Sequence, residues 1–356
     1  MNSLEFVRDE ILAIRGYVSG EQPPVGKFIK LNTNENPFPP SNSVIKAIQQ
    51  AATQGLNVYP DALANSFRIC AAQMLGLEKD WILCGNGSDD LLTMLTRTFV
   101  SSGSTIRIPY PSYVLYRTLG QIQGARTEEI HFEKDWRLPS SFYENSSSVS
   151  LVFLPNPNSP SGTVLSPEQV LKIADQLDCP LVVDEAYADF SDTNCIGLVR
   201  EAENVIVTRT LSKSYGLAGL RFGYAVARPE IIQQLQKVKD SYNCDALAIA
   251  GATAAINDQS WLTENRSTIG NLRQQMARDL RQRGFEVTPS QANFVWCHHP
   301  KISSNDLYQQ LKSNQILVRY MDYPDWGSGI RISVGTSSQI TALMAILDTI
   351  VAENNL

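Results

Sequence analysis

Between residues 81 and 226, mostly apolar runs of four to six residues recur, at 81–84, 104–108, 149–154, 181–184, 204–208 and 222–226. Runs of this length, bounded by Gly, Pro, Asn or Asp, are expected of strands buried on both faces. Between them, at 61–75, 88–100, 112–123 and 167–177, apolar residues fall at helical spacing. Strand and helix in alternation predict an α/β fold: a large domain whose mostly parallel sheet is covered by helices on both faces. After about residue 240 the rhythm changes. A long helical stretch at 262–283 ends at Gly284, then short strands at 285–288, 293–297, 316–319 and 330–333 alternate with helices at 304–313 and 337–353. This predicts a small α+β domain. The expected organisation is therefore 38–240 as the large domain, with 1–37 packing back onto 241–356 to complete the small one.

In sheets of this kind, ligands gather where the strands end, and the chain places its most reactive residues there. The run Pro180–Asp184 ends in an acid, with Tyr187 three residues on. Past the strand at 204–208, Thr210-Leu-Ser-Lys-Ser-Tyr-Gly-Leu-Ala-Gly-Leu-Arg221 sets Lys213 between Ser212 and Ser214, eight residues before Arg221. Partial burial and nearby cations make a lysine nucleophilic toward carbonyls, so that it forms a Schiff base. Hydroxyls and an arginine alongside suit a phosphate dianion. A phosphorylated aldehyde meets both demands, which points to pyridoxal 5′-phosphate (PLP). That cofactor needs a carboxylate to keep its pyridine nitrogen protonated and its ring an electron sink. Asp184 supplies one, and Tyr187 is close enough in sequence to reach the ring's phenolic oxygen.

A third element, Trp81-Ile-Leu-Cys-Gly-Asn-Gly-Ser-Asp-Asp90, reads as strand, glycine turn and helix start. It offers free backbone N–H groups and the positive end of a helix dipole to an anion. Gly87 permits close approach and Ser88 adds a hydroxyl. Asp89 is an awkward neighbour for a bare phosphate, so backbone groups are expected to bind there.

These elements share the chain, in order, with Leu31-Asn-Thr-Asn-Glu-Asn-Pro37, Tyr59-Pro-Asp61, Pro109-Tyr-Pro-Ser-Tyr113, Asn156-Pro-Asn-Ser-Pro-Ser-Gly162 and Ile330-Arg-Ile-Ser-Val-Gly335. Together they resemble the fold-type I PLP-dependent aminotransferases, and within them the histidinol-phosphate aminotransferase family. The resemblance runs from Tyr17 to about Thr336. It implies that Lys213 is the lysine joined to the cofactor and the base that moves the substrate's proton. Asp184 would pair with the pyridinium, Tyr187 with the phenolic oxygen, and Tyr113 would stack on the ring. Gly87, Ser88, Thr210, Ser212 and Arg221 would form the phosphate site, with Asp89 among the cofactor-binding residues. Tyr59 would reach that phosphate from the second subunit of a homodimer.

On the substrate side the resemblance implies Arg331 as the grip on an acid group, Arg319 as a second anion contact, Tyr17 at the entrance and Asn36 among the lining residues. The chain departs from the family where Asn normally precedes the Pro of an Asn-Pro-Thr-Gly signature. Here Ser159 holds that place and Asn158 lies one residue earlier, so either can serve the ring oxygen. Asp90 replaces a common Glu, and Ser19 a common Pro.

Composition narrows the class without changing it. The 356 residues exceed one hydrophobic core, and 43% hydrophobic content with a net charge of −6 describes a mildly acidic protein. No basic run argues for nucleic acid or an anionic membrane, and no stretch is long enough to span a bilayer. The acidic residues near Met1 do not fit a secretory leader. Six cysteines without Cys-x-x-Cys spacing read as thiols of a reducing cytoplasm, and three histidines make a metal site unexpected. Three activities fit: transamination between L-histidinol phosphate and 2-oxoglutarate, transamination of aromatic amino acids, and decarboxylation of a phosphorylated amino acid.

Overall fold

The apolar runs form six strands of a seven-stranded sheet in the computed structural model, which describes residues 3–14, 16, 20–24 and 26–354. In chain order the strands are β1 (Ile29–Lys30), β2 (Ile82–Gly85), β3 (Thr105–Tyr110), β4 (Arg126–His131), β5 (Val149–Pro155), β6 (Leu181–Asp184), β7 (Val205–Thr210) and β8 (Gly223–Val226). Then follow β9 (Glu286–Val287), β10 (Phe294–His298), β11 (Ile316–Leu317), β12 (Arg319–Tyr323) and β13 (Gly327–Ser333). The large sheet runs β2-β8-β7-β6-β5-β3-β4 and is parallel from β4 to β7, with β8 antiparallel to both its neighbours.

Alternation along these strands explains why their sequences lack a polar face. Leu181, Val183, Val205 and Val207 enter one core, whereas Val182 and Ile206 enter the core on the opposite side. With a side-chain period of two, a strand covered on both faces has no position left for solvent. Each such side chain, fully buried, contributes roughly 1.5–3 kcal/mol. The edge strand β4, Arg-Thr-Glu-Glu-Ile-His, is half exposed along its length; with one apolar residue it carries no period to read. The helices Asn42–Ala52, Pro229–Val238 and Ala246–Asn257 also lay outside the predicted set.

A second sheet, β12-β13-β10-β9, is antiparallel throughout. The helices Gln259–Gln282, Ser304–Ser313 and Ser337–Glu353 pack on it through Ile269, Met276, Leu307, Leu343 and Leu347. The N-terminal segment joins this unit: β1 pairs in parallel with β11, and Leu31 accepts from the Ser333 N–H at 2.9 Å. Helix Ala246–Asn257 instead buries Ala248, Ala252 and Ile256 in the core of the large sheet. The chain passes between the cores inside helix Gln259–Gln282, since Leu262 belongs to the first and Ile269 to the second.

Candidate active site

A cavity of about 760 Å³ opens where the parallel strands end and the second sheet approaches. Ser88, Asp184, Tyr187, Lys213, Arg319 and Arg331 all line it, so the fold gathers residues from five separate segments. Its size suits a cofactor together with a small substrate.

At one end, β2 turns through Gly87 into helix Ser88–Phe99. Gly87 has φ +82°, and a Cβ there would lie 2.6 Å from Arg221 Nη2. A Cβ on Gly223 would stand 2.8 Å from Ser88 N. Position 87 therefore needs glycine for its backbone conformation, and position 223 for close packing against backbone. The turn is pinned by Asp90, which accepts from Asn86 N at 2.9 Å and from Asn243 Nδ2 at 3.0 Å. Opposite it, Thr210 Oγ1 lies 2.9 Å from Ser212 Oγ, and Arg221 Nη1 donates to Ser212 at 3.3 Å. Arg221 holds a left-handed φ of 52°, a strain that aims its guanidinium at the helix start. Asp89 pairs with Arg221 at 3.5 Å and accepts from the Tyr113 hydroxyl at 3.2 Å. Asp89 thus sits at the cup's rim with its carboxylate turned to Arg221 and Tyr113.

Asp184 closes β6 and is 5% exposed. Tyr116 donates to its Oδ2 at 2.7 Å, while Thr208 Oγ1 (3.3 Å) and Ala186 N–H (3.2 Å) donate to Oδ1. Register places these partners: Asp184 is level with Thr208 on β7. Burial pushes its pKa up to about 6 against the pull of the Tyr116 hydrogen bond, and the charge of Asp89 adds to the rise. A cation brought to this carboxylate would reverse that shift.

Lys213 Nζ donates to Thr33 O at 3.3 Å and lies 5.8 Å from the centre of the Tyr187 ring. The Tyr187 hydroxyl oxygen accepts from Asn34 Nδ2 at 2.9 Å, which leaves the tyrosine's own hydrogen for another acceptor. Asn34 is itself fixed by Ser333, whose hydroxyl donates to its Oδ1 at 3.1 Å. Asn36 does not line the cavity. Its amide donates to Lys213 O and Ser214 O at 3.0 and 3.1 Å, so it braces the lysine loop from behind.

Two more arginines line the cavity. Arg319 and Arg331 are direct partners across β12 and β13, and neither forms an ion pair with a carboxylate of a described residue. Like charges placed opposite on one sheet face repel, an arrangement that a bound anion would relieve. Arg331 donates to Ser159 Oγ at 2.8 Å and to Asn32 O at 3.3 Å, and sits over the Phe294 ring.

Ser159 lines the cavity and Asn158 does not. Asn158 is 2% exposed, its amide group donates to Pro111 O and Ser161, and its Oδ1 has no hydrogen-bond partner among the described residues. Tyr59 is 77% exposed and stacks on Tyr242 at 4.4 Å, outside the cavity of its own chain. Tyr17 lies outside the described residues. Sequence reasoning missed Tyr116, Thr208 and Asn34. Tyr116 falls on the buried face of a helix, where its spacing marks it only as core; Asn34 stood within a quoted motif, but nothing local tied it to Tyr187.

The donor set fits PLP. A cradle of hydroxyls, backbone N–H groups and Arg221 suits its phosphate, a buried acid with donors on both oxygens suits its pyridine nitrogen, and Lys213 faces the space between. Fold and site thus define a PLP-dependent transferase of the type with a large parallel sheet and a small antiparallel domain. Residues 26–347 match aminotransferase class I and II, and the chain belongs to that family. A histidinol-phosphate aminotransferase of Rhodopirellula baltica is 57% identical over 342 residues, 96% of this chain and 94% of that one. One of Geotalea daltonii is 42% identical, over 96% of this chain and 98% of its own. Among solved structures, the histidinol-phosphate aminotransferase of Sinorhizobium meliloti in complex with pyridoxal-5′-phosphate superposes with a TM-score of 0.85 at 28% identity, covering 91% of each chain.

Proposed function

We propose that this aminotransferase moves the amino group of L-histidinol phosphate to 2-oxoglutarate, a step of histidine biosynthesis. The observation that carries the reading is the cross-strand pair Arg319–Arg331 in the lining of the cavity. Two unneutralised guanidiniums suit a doubly charged group, which a phosphorylated amine and a dicarboxylic oxo acid both bring and a plain aromatic side chain does not. The 57% identity to a histidinol-phosphate aminotransferase supports the same choice.

When bound, PLP supplies an aldehyde that joins the amine and a protonated ring that draws electrons from the substrate's Cα. Lys213 Nζ is the base that takes the Cα proton and returns it. Asp184 stays ionised, keeps the ring nitrogen protonated and is relieved of its burial cost by that charge. Tyr187, its oxygen already serving Asn34, donates its hydrogen toward the ring oxygen. Ser88, Thr210, Ser212 and Arg221 hold the phosphate with the backbone of Gly87 and Ser88, and Ser159, rather than Asn158, reaches the cavity beside Arg331. Arg331 orients the substrate's anionic group bidentately and Arg319 takes the second charge.

The exposed apolar loop of Leu56, Val58 and Tyr59 with Tyr242 is the surface that a second copy covers, bringing Tyr59 to its neighbour's phosphate. A homodimer follows from this reading. The two cores act as two domains whose border lies inside helix Gln259–Gln282 rather than at residue 240. No described helix is long and apolar enough to cross a membrane, and the six free cysteines suit a cytoplasmic enzyme.

Comparing kcat/KM for histidinol phosphate, phenylalanine and phosphothreonine with 2-oxoglutarate tests the assignment. Histidinol phosphate should lead. Equal or better turnover of phenylalanine, or release of carbon dioxide from phosphothreonine, would replace it with one of the other two activities.

A further inference from the structure

Among the described residues the buried hydroxyl of Tyr116 has one hydrogen-bond acceptor, Asp184 Oδ2 at 2.7 Å. Its ring is fully buried, stacks on Phe153 at 4.7 Å with planes 10° apart, and meets Tyr113 edge-on at 5.6 Å. Phenylalanine would fill that space equally well, and a buried hydroxyl is costly unless it is bonded. Packing explains the ring; only the carboxylate explains the oxygen.

We propose that Tyr116 is a positioning residue for Asp184: its hydroxyl fixes the rotation of the carboxylate and holds it ionised where the pyridine nitrogen of PLP binds. With Tyr116 on Oδ2 and Thr208 and Ala186 on Oδ1, the carboxylate plane is set from three elements. Helix Leu115–Gln123, which bears Tyr116, begins two residues after Tyr113, so one helix carries the carboxylate's donor and adjoins the cavity-lining Tyr113. Other groups face the same spot. Asp89 on helix Ser88–Phe99 disfavours the charge on Asp184. Tyr113 and Tyr187 bear on Tyr116 electrostatically, and Lys213 shares the cavity. Among them Tyr116 is the donor at Oδ2. Losing it leaves burial and Asp89 to push the Asp184 pKa above its present value of about 6, so more of the acid is protonated at neutral pH.

The proposal rests on the role given to Asp184, and the experiment separates the two. Apoprotein of wild type, Tyr116→Phe, Asp184→Asn and the double variant is titrated with PLP from about pH 5 to about pH 9, following the cofactor's absorbance. Wild-type affinity should fall on the acid side as Asp184 takes up its proton. In Tyr116→Phe that fall should move to higher pH, with PLP binding weakened roughly tenfold or more near neutrality, the worth of a charge-assisted hydrogen bond. The double variant should bind no worse than Asp184→Asn alone. A Tyr116→Phe protein with wild-type affinity and an unmoved acid limb, while Asp184→Asn loses both, overturns the role of Tyr116. Wild-type behaviour of Asp184→Asn overturns the reading of Asp184 and Tyr116 with it. Should Tyr116→Phe fold poorly, additive losses in the double variant still refute the link, and equal losses still support it.

Discussion

Replacing Asp184 by Asn should make the empty protein more stable and the working enzyme worse. The carboxyl of free Asp titrates near 3.8, and burial raises it to about 6 in the fold. A folded-state value above the unfolded one means the native protein holds the proton more tightly. That contribution is complete below the unfolded value and is lost as pH rises from 3.8 through about 6. Above that window the buried charge costs about 3 kcal/mol, at 1.36 kcal/mol for each tenfold. Asn carries no charge at any pH. Its oxygen can keep the Thr208 and Ala186 donors, while its NH₂ faces Tyr116, whose hydroxyl can turn to accept. One rearranged hydrogen bond costs roughly 1 kcal/mol.

The apo Asp184→Asn protein should therefore exceed wild type by about 2 kcal/mol near pH 8, with the gap closing toward about pH 4. Urea unfolding of both apoproteins across that range measures it. With saturating PLP the order should reverse, because ligand adds stability in proportion to affinity and the variant has lost the partner of the ring nitrogen. Activity should drop at least ~100-fold, as when other preorganised charges are removed. A wild-type apoprotein more stable than the variant at pH 8, or a gap that does not change with pH, would refute the argument.

Lys213→Ala should abolish transamination while the protein still retains PLP through the Thr210, Ser212 and Arg221 contacts; turnover at the wild-type rate would remove Lys213 from the mechanism. Arg331→Lys should slow both half-reactions by roughly 1.5–3 kcal/mol, read by single-turnover kinetics, and Arg319→Ala should weigh more on the phosphorylated donor. Slowing of one half-reaction only would end the shared-pocket reading, as would equal reactivity of histidinol and its phosphate. Mixing Tyr59→Ala chains with Lys213→Ala chains should give activity above the sum of the two parents, since one hybrid site holds both intact residues; strict additivity or an active monomer in sedimentation would argue against the dimer.

The sequence alone determined what local chemistry dictates. Strands buried on both faces carry short, mostly apolar runs, so β5, β6 and the first half of β7 were legible, and with them the strand end at Asp184. Ser88, Lys213 and Arg221 were expected at strand ends, and the fold does bring them to one cavity; the roles proposed for them rest on the experiments above. Strand β4 was not, because an edge strand half in water has no apolar period. Tertiary structure decided every relation between distant segments. Tyr116 meets Asp184 across 68 residues, and Asn36, in a motif that suggested substrate contact, braces the lysine loop from 177 residues away. Asn158 is held by Pro111 and Ser161 while its neighbour Ser159 faces Arg331. Arg319 stands opposite Arg331 only because β12 and β13 pair in that register; a slip of one residue would turn one of them away. Periodicity records which side of an element is buried, but not what it is buried against, and the site depends on the second.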